Sequence, residues 1–225
     1  NALFASFIVS ILIIVSGRIH LRYSSRSKEH LEVQKIHVGS IPRIGGLAIL
    51  AGCAYGWYGI ENFSAKYLGY IVISGMPILI LGLLDDLYFC VRPIYRLLGA
   101  SISSIFAIFL LETWLTRIDV LYLDKLFFLT PFAFIFTVFA TTGVSHAFNL
   151  IDGADGVAIG LAIIALLGIN IIDINRGILE INTVYLGLFG AFIPVLYFNL
   201  VKTKNNKVFL GESGSLFLGY IIAFL

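Results

Sequence analysis

Eight apolar segments occupy most of this chain and restrict what it can fold into. They lie at residues 2–16, 44–60, 67–84, 97–115, 126–148, 157–172, 183–199 and 215–225. Only 12% of the residues are charged, whereas a soluble domain carries about 25%. Inside a bilayer the backbone must satisfy its own hydrogen bonds, which favours helices for such segments. The sequence therefore predicts an all-α fold, a polytopic bundle of about eight transmembrane helices.

We expect residues 1–225 to form one domain that is integral to the membrane. None of the connections between the apolar segments is long enough to form a soluble domain. Asn1 is followed directly by an apolar segment, and the last apolar segment stops at Leu225. A spanning helix needs about 20 residues. We therefore expect both ends of the domain to be incomplete in this chain.

The connections between apolar segments differ in positive charge from one side to the other. Loops 17–43, 85–96, 149–156 and 200–214 share one side, because successive helices alternate in direction. These loops carry eleven lysines and arginines, and the loops of the other side carry four. Positive charge accumulates in cytoplasmic loops. The chain is thus expected to lie in the cell (plasma) membrane with the first loop set facing the cytoplasm.

Three of these predicted cytoplasmic loops, 85–96, 149–156 and 200–214, carry five acidic residues: Asp85, Asp86, Asp152, Asp155 and Glu212. Carboxylates at a membrane border are costly unless they are hydrated, paired or bound to a metal. Mg²⁺ prefers oxygen ligands and usually shares them with substrate phosphates. Arginines, lysines and glycines in the same loops complete the groups that phosphoryl transfer uses. The pattern therefore favours a phosphoryl-transfer site with Mg²⁺, or with Mn²⁺, which also accepts oxygen ligands.

Simpler roles also fit parts of this pattern. Asp155 precedes an apolar segment and can cap the helix that begins there, and Glu212 can do the same for the last helix. Asp85 and Asp86 can start a solvated loop. A transporter with acidic ion sites on its cytoplasmic side is the alternative function. The acids of a transporter usually lie within the spans, whereas these acids lie in the connections between them.

Four motifs carry a resemblance to a known family. "HVGSIPRIGG", "LGLLDD", "NLIDGADG" and "FLGESGS" occur in the order and spacing typical of the polyprenyl-phosphate N-acetylhexosamine-1-phosphate transferases, the MraY/WecA superfamily or glycosyltransferase family 4. The resemblance extends over nearly the whole chain, so residues 1–225 look like a single domain of this family. It implies Mg²⁺-dependent transfer of a sugar 1-phosphate from a UDP-N-acetylhexosamine to a membrane polyprenyl phosphate, such as undecaprenyl phosphate, with release of UMP. The implied role is synthesis of a cell-envelope polysaccharide such as lipopolysaccharide or teichoic acid, with no nucleic-acid partner.

The resemblance also implies three groups of site residues. The catalytic group is Asp85, Asp86, Asp152 and Asp155. The metal ligands are Asn149 and Glu212. The substrate-binding group, expected to contact phosphate, is Lys35, His37, Arg43 and Arg96.

The chain departs from the family's motifs at three positions. Glu212 stands where Asp is usual, His146 where Asn is usual, and Ile94 where a basic residue is common. Mg²⁺ requires near-octahedral oxygen ligands at about 2.0–2.1 Å, so the extra methylene of Glu212 changes what the site offers. We expect the neighbouring glycines, Gly211 and Gly214, to absorb that change.

Overall fold

The computed structural model describes residues 1–17, 41–58, 63–89, 91–120, 124–178 and 181–225. Over these residues the chain is all-helical and has no strand, which confirms the predicted fold class. Ten α-helices are present in these ranges: α1 (Ala2–Val15), α2 (Gly45–Tyr58), α3 (Phe63–Ser74), α4 (Met76–Leu84), α5 (Pro93–Leu111), α6 (Asp124–Phe127), α7 (Thr130–Ile151), α8 (Val157–Asn175), α9 (Asn182–Leu200) and α10 (Gly211–Ala223).

The helix count differs from the eight expected for two reasons. The segment predicted at 67–84 is divided at Gly75 into α3 and α4, which are bent by 41° relative to each other. Pro77 lies in the first turn of α4, where its missing N–H costs little, but it cannot continue the hydrogen bonds of a preceding helix. The Ser103 hydroxyl accepts a hydrogen bond from the next N–H, that of Ile78, at 3.0 Å. The second reason is α6, a short helix in the connection before α7.

Four of the described helices, α5, α7, α8 and α9, are long and apolar enough to cross a membrane. The broken pair of α3 and α4 provides a fifth candidate span, and α1 is apolar but shorter. The described residues therefore do not confirm the prediction of about eight transmembrane helices. Large apolar side chains are exposed along these helices, for example Leu161, Ile164 and Ile171 in α8. Such a face is unfavourable in water and suits contact with lipid. The chain is therefore an integral membrane protein.

The last helix, α10, lies at the centre of the bundle. All residues from Ser213 to Ile221 are buried, and α10 packs against α2, α4, α7 and α8. Helices α1, α2 and α9 pack against one another beside it. The approach to α7 is close, because a Cβ at Gly219 would lie 2.8 Å from the Cα atom of Ser145. Small residues permit such contacts between membrane helices.

One end of the bundle collects the predicted cytoplasmic connections. Helices α2, α5, α8 and α10 begin at this end, and α4, α7 and α9 finish there. The Gly45 N–H donates to the Phe209 carbonyl at 3.0 Å, and the Phe209 N–H donates to the Pro42 carbonyl at 2.8 Å. These bonds join the start of α2 to the segment that precedes α10. We call this end the acidic end, because Asp85, Asp86, Asp152, Asp155 and Glu212 all lie there.

The boundaries of the acidic connections differ from those expected. Asp85 and Asp86 do not start a solvated loop, since they lie in a π-helical turn, Asp85–Phe89, that continues α4. Each is only 5% exposed. Glu212 lies in the first turn of α10 instead of in a loop. Helical turns of the π type often occur at functional sites, and this one directs two adjacent carboxylates to different neighbours.

Candidate active site

Asp86 binds the start of α10. Its Oδ1 atom accepts a hydrogen bond from the Glu212 N–H at 2.8 Å. Its Oδ2 atom accepts from the Ser213 N–H at 2.9 Å and from the Ser213 hydroxyl at 2.7 Å. The first N–H groups of a helix have no acceptor within the helix, so Asp86 supplies one from another element. Close packing supports the contact, because a Cβ at Gly82 would lie 2.6 Å from the Cα atom of Ser213.

Arg96, at the start of α5, joins two acidic segments. Its Nη1 atom lies 3.5 Å from Asp85 Oδ2 and also donates a hydrogen bond to Glu212 Oε2. The other Asp85 oxygen, Oδ1, accepts from the Val91 N–H at 2.8 Å. Arg96 was expected to contact substrate phosphate, and here its guanidinium contacts carboxylates of the protein. The contacts fix the orientation of both Asp85 and Glu212.

Asn149 and Glu212, the expected metal ligands, contact each other directly. The Asn149 Nδ2 atom donates to Glu212 Oε2 at 2.7 Å and to the Ser215 hydroxyl oxygen at 2.9 Å. The residue at the N-cap position of α10 is Leu210, and no side chain of its own caps the helix. The Glu212 carboxylate thus bonds to Arg96 and Asn149, and the helix-capping role considered for it is not observed.

Asp152 lies at the end of α7, close to the other acids. Burial raises the pKa of Asp152 to about 8, and repulsion from Asp86 and Glu212, with a smaller part from Asp155, adds to the increase. The positive charge of Arg43 acts in the opposite direction. Burial and repulsion both disfavour the ionised carboxyl group of Asp152. The acidic end therefore holds more negative charge near Asp152 than its neighbouring cation neutralises.

Asp155 forms an ion pair with Lys207. The Lys207 Nζ atom also lies 5.2 Å from the centre of the Phe209 ring, within the range of a cation–π contact. Lys207 is only 6% exposed, and a buried charge requires such a partner. The N-cap residue of α8 is Gly156, without a side-chain cap. Asp155 therefore does not cap α8, and it connects the Asp152–Asp155 loop to the segment before α10.

A buried amide, Asn199, connects the same two segments. Its Oδ1 atom accepts a hydrogen bond from the Gly156 N–H, and its Nδ2 atom donates to the Val208 carbonyl at 3.0 Å. Asn199 is only 2% exposed, so neither main-chain group has ready access to water in its place. Together with the ion pair between Asp155 and Lys207, this amide holds the acidic loop beside α10.

The structure brings together most of the residues that the sequence singled out. The group at the acidic end consists of Arg43, Asp85, Asp86, Arg96, Asn149, Asp152, Asp155 and Glu212. The main chain of Arg43 also packs closely against the start of α10, because a Cβ at Gly211 would lie 1.8 Å from the Arg43 carbonyl oxygen. The remaining two expected residues, Lys35 and His37, lie outside the described residues.

The residues at the acidic end fit a magnesium ion in type and charge. Asp152 and Glu212 offer carboxylate oxygens and Asn149 an amide oxygen, which are the ligands that Mg²⁺ prefers. Burial, followed by repulsion from Asp86 and Glu212, raises the pKa of Asp152, and a bound cation would favour the ionised carboxylate against both. In the described part of the chain, no three His, Cys, Asp or Glu side chains form a ready metal cage. Water and phosphate oxygens would therefore complete the coordination, as is common for Mg²⁺.

Sequence reasoning missed three residues of this network. Ser213 binds Asp86, and Lys207 and Asn199 bind the acidic loop. Asn199 gave a signal, because a polar side chain inside an apolar segment is costly and is usually retained for a contact. Lys207 was counted only as a positive charge of a cytoplasmic loop. Ser213 lies within the "FLGESGS" motif, but nothing in the motif indicates which group it contacts.

Known proteins match the chain over most of its length. Residues 68–225 match the family described as Glycosyl transferase family 4. The chain is 32% identical over 194 residues to a probable undecaprenyl-phosphate N-acetylglucosaminyl 1-phosphate transferase of Bacillus subtilis (strain 168), which covers 85% of this chain and 52% of that protein. It is 26% identical over 194 residues to undecaprenyl-phosphate alpha-N-acetylglucosaminyl 1-phosphate transferase of Escherichia coli (strain K12), with the same coverage. The corresponding protein of Yersinia pestis is 25% identical over 188 residues, 83% of this chain and 51% of that protein.

The chain spans about half the length of these curated relatives. The family match nevertheless covers more than half of the chain, and it includes Asp85, Asp86, Asn149, Asp152 and Glu212. All five acids of the acidic end lie within the matched residues. The chain belongs to glycosyl transferase family 4.

Proposed function

We propose that the protein transfers a sugar 1-phosphate, with N-acetylglucosamine as the sugar, from its UDP derivative to a membrane polyprenyl phosphate. The relatives named above are transferases of N-acetylglucosaminyl 1-phosphate to undecaprenyl phosphate. The observation that carries the proposal is the convergence of three acidic segments, through Arg96, Asn149 and Asp86, at one end of a membrane-spanning bundle. A lipid phosphate at the membrane border and a soluble nucleotide can both reach such a place.

The reaction exchanges one phosphorus–oxygen bond for another. An oxygen of the polyprenyl phosphate attacks the β-phosphorus of the UDP-sugar, and the bond from that phosphorus to the bridging oxygen breaks. UMP leaves with the bridging oxygen, and the lipid retains a diphosphate that carries the sugar. A bound Mg²⁺ ion supplies Lewis-acid stabilisation of the charge on the phosphates. Lipid carriers of this kind serve the synthesis of cell-envelope polysaccharides, lipopolysaccharide or teichoic acid being the candidates.

Within this proposal Asp85 and Asp152 are the carboxylates assigned to the reaction itself. Asp85 orients Arg96, and the raised pKa of Asp152 suits a group that exchanges a proton or receives a cation. Asn149 and Glu212 would hold Mg²⁺ or Mn²⁺ through their oxygens. Asp86 and Asp155 belong to the same catalytic group in the family motif, and their contacts bind other segments of the site. Arg43 lies beside Asp152 and is the candidate contact for phosphate, as are Lys35 and His37 on sequence grounds.

The test is release of UMP from UDP-N-acetylglucosamine by membranes that contain the full-length protein, polyprenyl phosphate and Mg²⁺. Asp85→Asn and Asp152→Asn should each lower turnover by about 10²-fold or more, because an amide keeps the shape and removes the charge. The matched control is Asp119→Asn. Asp119 is exposed, pairs only weakly with Arg117 at 3.5 Å, and has a positive φ of 54° that Asn also tolerates. Equal activity in all three variants would contradict the proposal.

Glu212 provides a separate test of the metal. Glu212→Asp should keep or raise activity with Mg²⁺, because it restores the residue usual in the family. Glu212→Gln should weaken the metal dependence, because it removes a charged ligand. Turnover would be titrated against Mg²⁺ and Mn²⁺ for both variants. An unchanged metal requirement in Glu212→Gln would remove this residue from the metal site.

We further propose that the acidic end faces the cytoplasm. The support is the excess of lysine and arginine in loops 17–43, 85–96, 149–156 and 200–214. A cysteine introduced at Ser27 should resist labelling from outside intact cells, and one at Asn182, at the opposite end of α9, should react. The reverse pattern would overturn the orientation. A transporter of the same orientation would give no UMP in the assay above.

A further inference from the structure

We infer that Asp86 is a positioning residue, which caps α10 from a different helix and thereby sets the place of Glu212. The inference rests on the proposed function, because it assigns one carboxylate of the acidic pair a role in that site. It divides the pair: Asp85 remains a candidate reacting group, and Asp86 acts through the main chain of α10.

The geometry is that of a helix N-cap in which the cap residue has been supplied from elsewhere. A capping side chain normally accepts from the second or third N–H of the helix. Leu210 occupies the N-cap position of α10 and has no side-chain acceptor. Glu212 and Ser213 are the second and third helical residues, and their N–H groups donate to Asp86 Oδ1 and Oδ2 at 2.8 and 2.9 Å. Asp86 therefore accepts the bonds that a Ser or Asp at position 210 would accept.

The charge of Asp86 also suits this place. The N-terminus of a helix carries partial positive charge, which a carboxylate stabilises. The Ser213 hydroxyl adds a third hydrogen bond to the same carboxylate, at 2.7 Å. Asp86 is 5% exposed, and a buried carboxylate needs such donors. The start of α10 thus offsets part of the cost of burying this charge.

The contact with Glu212 links the cap to the site. The Glu212 N–H binds Asp86, and the Glu212 carboxylate binds Arg96 and Asn149. Glu212, a proposed metal ligand, therefore connects the cap to its own carboxylate partners, Arg96 and Asn149. If the cap is lost, the first turn of α10 can fray, and the Glu212 carboxylate moves with it.

Asp85 has different surroundings, although it is the adjacent residue. It contacts the Val91 N–H and the Arg96 guanidinium, whereas Asp86 contacts main-chain N–H groups of α10. Successive side chains of a helical turn point in different directions. The two carboxylates are consequently directed to different partners, and their substitution should have different consequences.

Hydrogen exchange measures the cap without any need for activity. In the full-length protein, Asp86→Ala should accelerate exchange of the Glu212 and Ser213 amides by about tenfold or more, the effect of losing a hydrogen bond to a charged acceptor. Asp86→Asn should retain part of the protection, because Asn also caps helices well. Ser213→Ala should change the Glu212 amide little, since both main-chain bonds remain. Unaltered exchange at these amides in Asp86→Ala would overturn the inference.

The control for this series is Asp124→Asn. Asp124 lies at the opposite end of the bundle, where its Oδ1 atom accepts from the Ile118 N–H at 2.9 Å. The substitution removes a similar charge and weakens a similar bond. It should leave both the exchange at residues 212–213 and the release of UMP as they are in the unaltered protein.

Metal titration separates positioning from direct chemistry. For a positioning role, Asp86→Asn should raise the Mg²⁺ concentration at half-maximal turnover several-fold, and saturating Mg²⁺ should restore most of kcat. Asp86→Ala should be worse than Asp86→Asn on both measures. Two results would overturn the inference: an equal loss of kcat in both variants at saturating Mg²⁺, which indicates a reacting group, or a change in thermal stability alone, which indicates a purely structural role.

Failure of the inference and failure of the proposed function are distinguishable. The exchange experiment reports on the cap even in a protein that releases no UMP. If the amides lose protection in Asp86→Ala and the unaltered protein has no transferase activity, then the cap exists and the proposed reaction is wrong. If the unaltered protein releases UMP and the amides do not respond, the reaction stands and the role of Asp86 is overturned.

Discussion

Replacing Gly211 by alanine tests how closely the start of α10 approaches the segment before α2. Gly211 has a φ of 72°, a left-handed conformation that costs an L-residue about 1–2 kcal/mol. A Cβ at this position would also lie 1.8 Å from the Arg43 carbonyl oxygen and 2.6–2.7 Å from the two Asp86 carboxylate oxygens. The variant therefore combines backbone strain with overlap against main-chain and charged atoms.

The overlap is the larger effect. Relief of a 1.8 Å approach to an ordinary contact requires movement on the order of 1.5 Å, since carbon atoms normally approach no closer than about 3.5 Å. Movement of that size breaks the bonds of 2.7–2.9 Å between Asp86 and α10. Hydrogen bonds to charged groups contribute about 1.5–3 kcal/mol each. Gly211→Ala should therefore destabilise the protein by several kcal/mol and reduce UMP release at least tenfold.

Gly177→Ala is the matched control. Gly177 has a φ of 77°, and no atom of the described residues lies within 4 Å of the Cβ that alanine would add. This variant carries the strain alone, about 1–2 kcal/mol, which corresponds to a decrease in Tm of roughly 2–8 °C for a chain of this size. Its activity should be unchanged, because Gly177 follows α8 at the end opposite the acidic end.

Thermal unfolding in detergent and the UMP assay would be run on both variants. The reasoning requires a larger decrease in Tm for Gly211→Ala than for Gly177→Ala, and loss of activity in the former alone. Equal decreases in Tm with equal activity would refute the close approach between α10 and Arg43.

Three further predictions concern the connections of the acidic end. Asp155→Asn should destabilise the protein more than Lys207→Met, because it leaves the charge of Lys207, the more buried partner, unpaired at a cost of about 3–5 kcal/mol. In a thermal double-mutant cycle the double variant should recover part of the loss. Additive effects of the two substitutions would contradict this. Asn199→Leu should lower the free energy of unfolding by about 2 kcal/mol or more, since it leaves two buried main-chain groups without their partner. Hydrogen exchange of the Gly156 amide should accelerate, and unchanged exchange would argue against the bond. The pKa of Asp152 is raised to about 8 from its ordinary value of 3.8. Between these pH values the folded metal-free protein therefore binds a proton that the unfolded chain releases. The free energy of unfolding should consequently fall as pH rises from about 4 to 8. Asp152→Asn should abolish that part of the fall in a series of Tm values against pH, and an identical pH dependence in both proteins would refute the assignment.

The sequence alone was sufficient for the fold class and for placing the acids together at one end of the bundle. Apolar segments of this length leave the backbone no choice but helix in lipid, and the alternation of helices then places loops 85–96, 149–156 and 200–214 at one end. The four motifs were sufficient for the family. These conclusions depend on composition, length and order along the chain, all of which are properties of the sequence.

The break in the third apolar segment and the early start of α10 were less accessible. The segment 67–84 has the length of one span, and its division at Gly75 depends on Pro77 and on the Ser103 hydroxyl that binds the Ile78 N–H. The last apolar segment was expected to begin at 215, but α10 begins at Gly211, because Asp86 caps turns that include charged and polar residues. A partner distant in sequence stabilises each boundary, Ser103 in the first case and Asp86 in the second.

Only the tertiary structure distinguished Asp85 from Asp86 and gave Asn199 and Lys207 their partners. Adjacent carboxylates are equivalent in a motif, whereas the helical turn that carries them points one to Arg96 and the other to α10. Lys207 and Asp155 are 52 residues apart in sequence, and Asn199 and Gly156 are 43 apart. Such pairs form because helix packing fixes which helix ends lie side by side, and the local sequence around either residue does not identify its partner.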